Sequence, residues 1–168
     1  INNFASSYFK EKLSEKEEIN KYLMERGLSS TTIENFNLGY SIDSKNNFYQ
    51  KANENGYSDE YLEETGLVIT SDNKKIDRFR GRIIFPIKSI SGRVLGFGGR
   101  IIESNKKIAK YINSPESKIY NKSKVLYGIY ESKQFIVKDD TCLLVEGYMD
   151  VIQMHEHWIK NVLASSGT

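Results

Sequence analysis

The sequence predicts an α+β chain that passes into α/β: a mixed helical and β segment, followed by the opening βαβ unit of a parallel-sheet domain that stops incomplete. Three observations carry this. Apolar residues recur at helical spacing through the first third, the middle changes to short β-rich runs punctuated by glycine, and the end runs strand, helix, strand.

In the first third, Ser14-Glu15-Lys16-Glu17 has the form of a capping box, with Ile19, Tyr22 and Leu23 on one face behind it and Gly27 as a stop. One short amphipathic helix is expected there. Ser29 and Ser30 start a second that runs to about Phe36, and Ser58 a third that ends at Gly66. In the middle, the runs Arg82 to Ile87 and Arg93 to Phe97 flank Ser91-Gly92 as the arms of a hairpin. Pro86 argues for an edge or a bulge, and Gly96 to Arg100 is too glycine-rich for a good central strand. Those glycines would let the backbone approach a ligand or another strand closely.

The last elements are Cys142 to Val145, roughly Gly147 to His157, and Val162 to Ala164. They end in the small-residue loop Ser165-Ser166-Gly167-Thr168 with nothing further to cover the sheet, so the chain is expected to be cut mid-domain.

The 168 residues, 39% hydrophobic and 12% aromatic, suit one domain or two small ones. No apolar run reaches membrane-span length and the start lacks a signal peptide's apolar stretch, so no membrane partner and a cytoplasmic location are expected. The single cysteine, Cys142, excludes a disulfide framework or a cysteine zinc site and reads as a buried, inert thiol.

Charge is strongly partitioned. Residues 1–71 carry a net −5, residues 72–133 a net +10 and residues 134–168 a net −3. Arg78, Arg80, Arg82, Arg93 and Arg100 fall in the basic block, and clustered arginine favours a polyanion over a merely solvated surface.

Glu146 stands at the carboxyl end of an apolar strand and Asp150 lies four residues on, in the first turn of the following helix. Ligands of open α/β sheets bind at such strand ends, and two carboxylates there suit a hard cation together with waters and phosphates. The alternative is that both acids simply sit at a helix N-terminus, stabilised by its dipole. His155 and His157 fall on different faces and read as surface residues, while Tyr148, Met154 and Trp158 read as packing groups.

The string Leu144 to Asp150 (LVEGYMD) resembles the first motif of the Toprim fold in bacterial replicative, DnaG-type DNA primases. Asp77 to Ile87 (DRFRGRIIFPI) resembles that family's basic motif. Gly92 to Arg100, Lys110 to Glu116 and Leu126 to Tyr130 match further family strings in the family's order, as do Tyr22-Leu23 to Gly27-Leu28 and Phe36 to Tyr40.

The resemblance implies that residues 1–138 form the amino-terminal subdomain of the primase RNA polymerase core and 139–168 the start of a Toprim, Rossmann-like domain. It implies catalytic or metal-proximal roles for Glu146 and Asp150. Arg100, Lys110, Tyr111 and Asn113 would face the incoming nucleotide, and Arg78, Arg80, Arg82 and Lys122 the DNA. The implied partners are single-stranded DNA, ribonucleoside triphosphates and, through regions outside this chain, a replicative helicase, in the bacterial cytoplasm at the replisome. Mg2+ or Mn2+ would serve the intact Toprim domain and Zn2+ only a preceding amino-terminal module, for which this chain has no Cys/His cluster. The family's later Asp-x-Asp motif is also absent from it.

A phage or organellar primase-helicase, a Toprim nuclease or topoisomerase fragment, and a non-catalytic nucleic-acid-binding domain are the alternatives. Residues alone also allow Arg100 to pair with Glu103, and Asn113 to cap the turn before Pro115.

Overall fold

The computed structural model describes residues 1–102 and 108–165. Along the chain it places α1 (Asn2–Ser14), α2 (Glu17–Glu25), α3 (Ser30–Asn35), β1 (Gly39–Ser41), α4 (Asn47–Glu54), α5 (Asp59–Glu64), β2 (Val68–Ser71) and β3 (Lys74–Asp77). There follow β4 (Arg82–Lys88), β5 (Val94–Ile101), β6 (Tyr111–Asn113), β7 (Leu126–Tyr127), α6 (Ile129–Asp139), β8 (Leu143–Val145), α7 (Tyr148–Glu156) and β9 (Val162–Ser165).

Alternation along β4 sets the architecture, because successive strand residues point to opposite faces and here both faces are buried. Ile83, Phe85 and Ile87 join one core with Leu23, Leu28, Phe36, Tyr127, Tyr148 and Val151. Ile84, with Phe97 of β5, joins another that contains Ala5, Phe9, Phe48 and Phe79. The central sheet, in the order β1-β4-β5-β6 and antiparallel throughout, is thus covered on both sides.

The hairpin expected around Ser91-Gly92 forms, with Gly92 at φ +88°. Pro86 fits because β1 pairs only with Arg82 to Ile84, leaving the far part of β4 without a partner on that side, and the register slips between Ile87 and Lys88. The expectation for Gly96 to Arg100 is corrected: β5 is a central strand. Its glycines are covered by side chains from elsewhere; a Cβ on Gly98 would fall 2.3 Å from the Tyr148 ring and one on Gly99 2.6 Å from Phe79.

At the carboxyl end, β8 and β9 pair in parallel around α7, as expected, and β7 adds to β9 antiparallel, making three strands in the order β7-β9-β8. The sheet is therefore more than a bare parallel pair. Ser166 to Thr168 lie outside the described residues.

The amino-terminal expectations need one change of mechanism. Ser29 caps α3 by accepting from the Thr32 amide. Ser14, however, is the last residue of α1, its hydroxyl donates to the Glu11 carbonyl, and α2 begins at Glu17 without a side-chain cap, so the Ser-x-x-Glu box is not made.

Cys142, expected to be buried, is exposed, just before β8, whose Leu143 and Leu144 are exposed as well. Trp158, expected to pack in a core or between domains, is not in a core of this chain: it is 83% exposed after the end of α7, with the Lys160 ammonium over its ring. His155, expected at the surface, is half-buried against Phe36, and its ring nitrogen lies 2.9 Å from the Ser132 hydroxyl. Burial lowers its pKa to about 4, so it is neutral near pH 7.

Candidate functional site

The βαβ unit positions Glu146 and Asp150 by the rule that a strand ends where its helix begins. Glu146 follows β8, and Gly147 in extended conformation turns the chain into α7. The Gly147 amide donates to Asp150 Oδ2 at 3.1 Å, so Asp150 satisfies an open N–H of the helix start. Both carboxylate residues are exposed. They line one cleft, of about 360 Å3, with Tyr111, Asn113, Tyr148, Met149 and Ser165.

The central sheet forms the other wall. β5 and β6 pair Gly98 with Asn113 and Arg100 with Tyr111, which sets these four on one face. Tyr148 lies over Gly98, against the rings of Tyr127 and Phe85 at 4.4 and 5.8 Å, and its hydroxyl donates to Asn113 Oδ1 at 3.0 Å. Tyr148 therefore joins the helix that carries Asp150 to the strand that carries Asn113. Sequence reasoning assigned Tyr148 to packing; the bond to Asn113 is a link across the whole fold that no local pattern encodes.

Arg100 is only 4% exposed, with its guanidinium over the rings of Tyr22 and Tyr111 at 5.9 and 5.7 Å. Its Nε has no hydrogen-bond partner among the described residues. Glu103, the alternative partner, lies outside the described residues. Partial burial pushes the Tyr111 hydroxyl above its ordinary pKa; Arg100 opposes this and Asp150 adds to it, so both charges are felt at the same hydroxyl.

The basic motif divides. Arg78 donates through Nε and Nη2 to the Asn113 carbonyl at 3.3 and 3.1 Å. Arg82, 5% exposed, donates to the carbonyls of Gly99, Lys110 and Ala109 at 3.4, 3.2 and 2.8 Å. The two arginines thus hold the strand that presents Lys110, Tyr111 and Asn113. Arg80 and Lys110 are exposed. Lys122 is half-buried at the start of a 3-10 turn, with its amide on Glu116, and is not part of the cleft wall.

For a cation, the cleft offers two exposed carboxylates, one of whose oxygens is shared with an amide. Among the described residues no group of three or more His, Cys, Asp or Glu side chains gathers to hold a metal. Two oxygen donors fit a hard cation that keeps most of its water or phosphate ligands, such as Mg2+, and do not fit a closed zinc site.

Comparison with known proteins agrees with this geometry. The family described as DNA primase catalytic core, N-terminal domain, matches residues 8–133. The DNA primase of Clostridium acetobutylicum is 41% identical over 167 residues, which is 98% of this chain and 27% of that protein. The RNA polymerase domain of Mycobacterium tuberculosis primase DnaG, in complex with a double-stranded DNA oligomer with a 6-nucleotide overhang, superposes with a TM-score of 0.93 at 32% identity, covering 99% of this chain and 53% of that one. A DnaG primase catalytic domain bound to single-stranded DNA superposes with a TM-score of 0.91 at 35% identity, covering 99% and 54%. The chain spans about a quarter of the length of the curated relatives it matches. It belongs to the bacterial, DnaG-type DNA primase family, as the amino-terminal part of the catalytic core.

Proposed function

We propose that this chain holds nucleotide and template in an enzyme that copies single-stranded DNA into short RNA primers. The observation that carries this is the meeting of Tyr111 and Asn113, from the basic middle of the chain, with Glu146 and Asp150 in one cleft. Residues 1–138 serve as the amino-terminal subdomain and 139–168 as the opening of the Toprim domain, joined by the packing of Tyr127 on Tyr148.

In the proposed reaction the primer 3′ hydroxyl attacks the α-phosphate of an incoming ribonucleoside triphosphate. A new phosphodiester bond forms, the bond to the β-phosphate breaks and pyrophosphate leaves. Glu146, exposed at its strand end, is placed to take the hydroxyl proton or to approach a metal. Glu146 and Asp150 would hold Mg2+ or Mn2+, which when bound would neutralise charge on the phosphoryl oxygens.

Arg100 and Lys110 hold the triphosphate, Tyr111 and Asn113 border its sugar and base, and Arg80 and Lys122 contact template phosphates. Arg78 and Arg82 act on DNA at one remove, by fixing β6. The DNA-bound relatives support a DNA template partner. The nucleotides, a replicative helicase engaged elsewhere in the protein, a zinc module preceding this region and a place at the cytoplasmic replisome follow from the family reading. No helix among the described residues is long and apolar enough to cross a membrane.

In the complete enzyme, Glu146→Gln is expected to lower primer synthesis by at least about a hundredfold with single-stranded DNA affinity unchanged. Normal synthesis by that variant would overturn the assignment. The 168-residue chain alone, with its single carboxylate pair at the cleft, is expected to make no primer with either metal; templated RNA synthesis by it would contradict the account.

A further inference from the structure

The end of α2 approaches the cleft from a part of the chain to which the nucleotide reading assigns nothing. Tyr22 and Arg26, four residues apart, share a helix face. Gly27, at φ +83°, stops the helix there, and the Arg26 carbonyl accepts from Gln153 Nε2 of α7 at 3.2 Å. The end of α2 is thereby tied to the helix whose other end bears Asp150.

Two guanidinium groups share the Tyr22 ring: that of Arg26 at 5.2 Å and that of Arg100 at 5.9 Å from its centroid. Arg100 is 4% exposed, and among the described residues no carboxylate pairs with it. Its Nε and the Tyr22 hydroxyl are both buried without a hydrogen-bond partner among the described residues. A buried cation with no counter-charge is costly, and a second cation nearby adds repulsion. Arg26 and Arg100 lie over the Tyr22 ring and Arg100 also over the Tyr111 ring, so the four side chains form one cluster. An oxyanion at this cluster meets the orphaned donors and the charge together.

Resting on the nucleotide reading of Arg100, we propose that Tyr22 and Arg26 complete its phosphate pocket. Tyr22 is a positioning residue that holds the Arg100 guanidinium against its ring and offers its hydroxyl. Arg26, exposed at the rim, supplies the second cation. The polyphosphate of a nucleoside triphosphate is then held between α2 and β5.

The test measures equilibrium binding of inorganic tripolyphosphate and, separately, of a single-stranded oligodeoxynucleotide, on the whole 168-residue chain, with thermal unfolding as a control for folding. Arg26→Ala and Tyr22→Leu are each expected to weaken tripolyphosphate about tenfold, the loss of one charge-assisted contact, with oligonucleotide affinity changed less than about twofold. Arg26→Lys is expected to recover most of the loss. Tyr22→Phe, which keeps the ring and should fold normally, is expected to lose about threefold through the hydroxyl alone. Wild-type tripolyphosphate affinity in both Arg26→Ala and Tyr22→Phe overturns the proposal. If Arg100→Ala alone weakens binding, the pocket lacks its α2 wall and the nucleotide reading stands. If Arg100→Ala also binds normally, the nucleotide reading fails first. Loss of oligonucleotide in place of tripolyphosphate assigns these residues to the DNA backbone and overturns the proposal.

Discussion

Arg82 and Arg100 come from the same basic stretch and are almost equally buried, at 5% and 4% exposure, but they lie on opposite faces of the same strand pair. Arg82 stands opposite Ile101 and reaches round to three backbone carbonyls; Arg100 stands opposite Ile83 and meets two tyrosine rings. A buried guanidinium whose N–H groups are spent on carbonyls is part of the framework. One that, among the described residues, is buried without an anion or acceptor fits the proposed role of meeting a ligand. Clustered arginine in the sequence marks a basic region without separating these two uses.

The largest expected effect tests that distinction. Arg82→Ala leaves three carbonyls without their donor and is expected to cost about 3 kcal/mol of stability, read from urea unfolding. Arg100→Ala, measured in phosphate-free buffer, gives up ring contacts but also an uncompensated charge, and is expected to change stability by less than about 1 kcal/mol. Equal destabilisation by the two would remove the contrast.

The two faces of β5 can be set against each other in a second way. Gly98→Ala puts a methyl group into the Tyr148 ring and is expected to cost about 2 kcal/mol. It should also disturb the Tyr148–Asn113 hydrogen bond, visible as a change in Asn113 side-chain amide resonances. An unchanged stability would mean that Tyr148 does not pack over β5.

A smaller effect concerns Asp77, the buried first residue of the basic motif. Its oxygens accept from the Phe48 and Tyr49 amides at the start of α4, yet burial outweighs those bonds and pushes its pKa up to about 6. The native state therefore holds this proton to higher pH than the unfolded chain does. Asp77 should lower stability as pH rises from about 4 to 6 and add no further slope above that. The wild-type minus Asp77→Asn difference in unfolding free energy is expected to fall by on the order of 1–2 kcal/mol across that window. A flat or rising difference would contradict the burial argument.

Local signals in the sequence carried the βαβ unit, the hairpin at Ser91-Gly92, the α3 cap at Ser29 and the helix stops at Gly27 and Gly66. Each depends on residues within a few positions of one another. What was illegible depends on distant partners. The amides at the start of α4 are met by Asp77, far along the chain. The glycines of β5 resemble a loop until Tyr148 and Phe79 cover them.

The motifs named four residues, Glu146, Asp150, Tyr111 and Asn113, that the fold brings to one cleft. Tyr22 and Arg26 were not legible as site residues, because a Tyr-x-x-x-Arg spacing on a short amphipathic helix looks like any other packed face. The separate jobs of Arg78 and Arg82 were hidden because the carbonyls they bind belong to a strand well downstream.

The central claim is that the buried Arg100 serves the incoming nucleotide and not the template. The most direct test is steady-state primer synthesis by the complete enzyme, with nucleotide and template concentrations varied separately, for Arg100→Ala beside Arg80→Ala. Arg100→Ala is predicted to lose about ten- to hundredfold in kcat/KM for nucleotide at unchanged template affinity, with Arg80→Ala showing the reverse pattern. Loss of template binding with normal nucleotide use by Arg100→Ala would contradict the account.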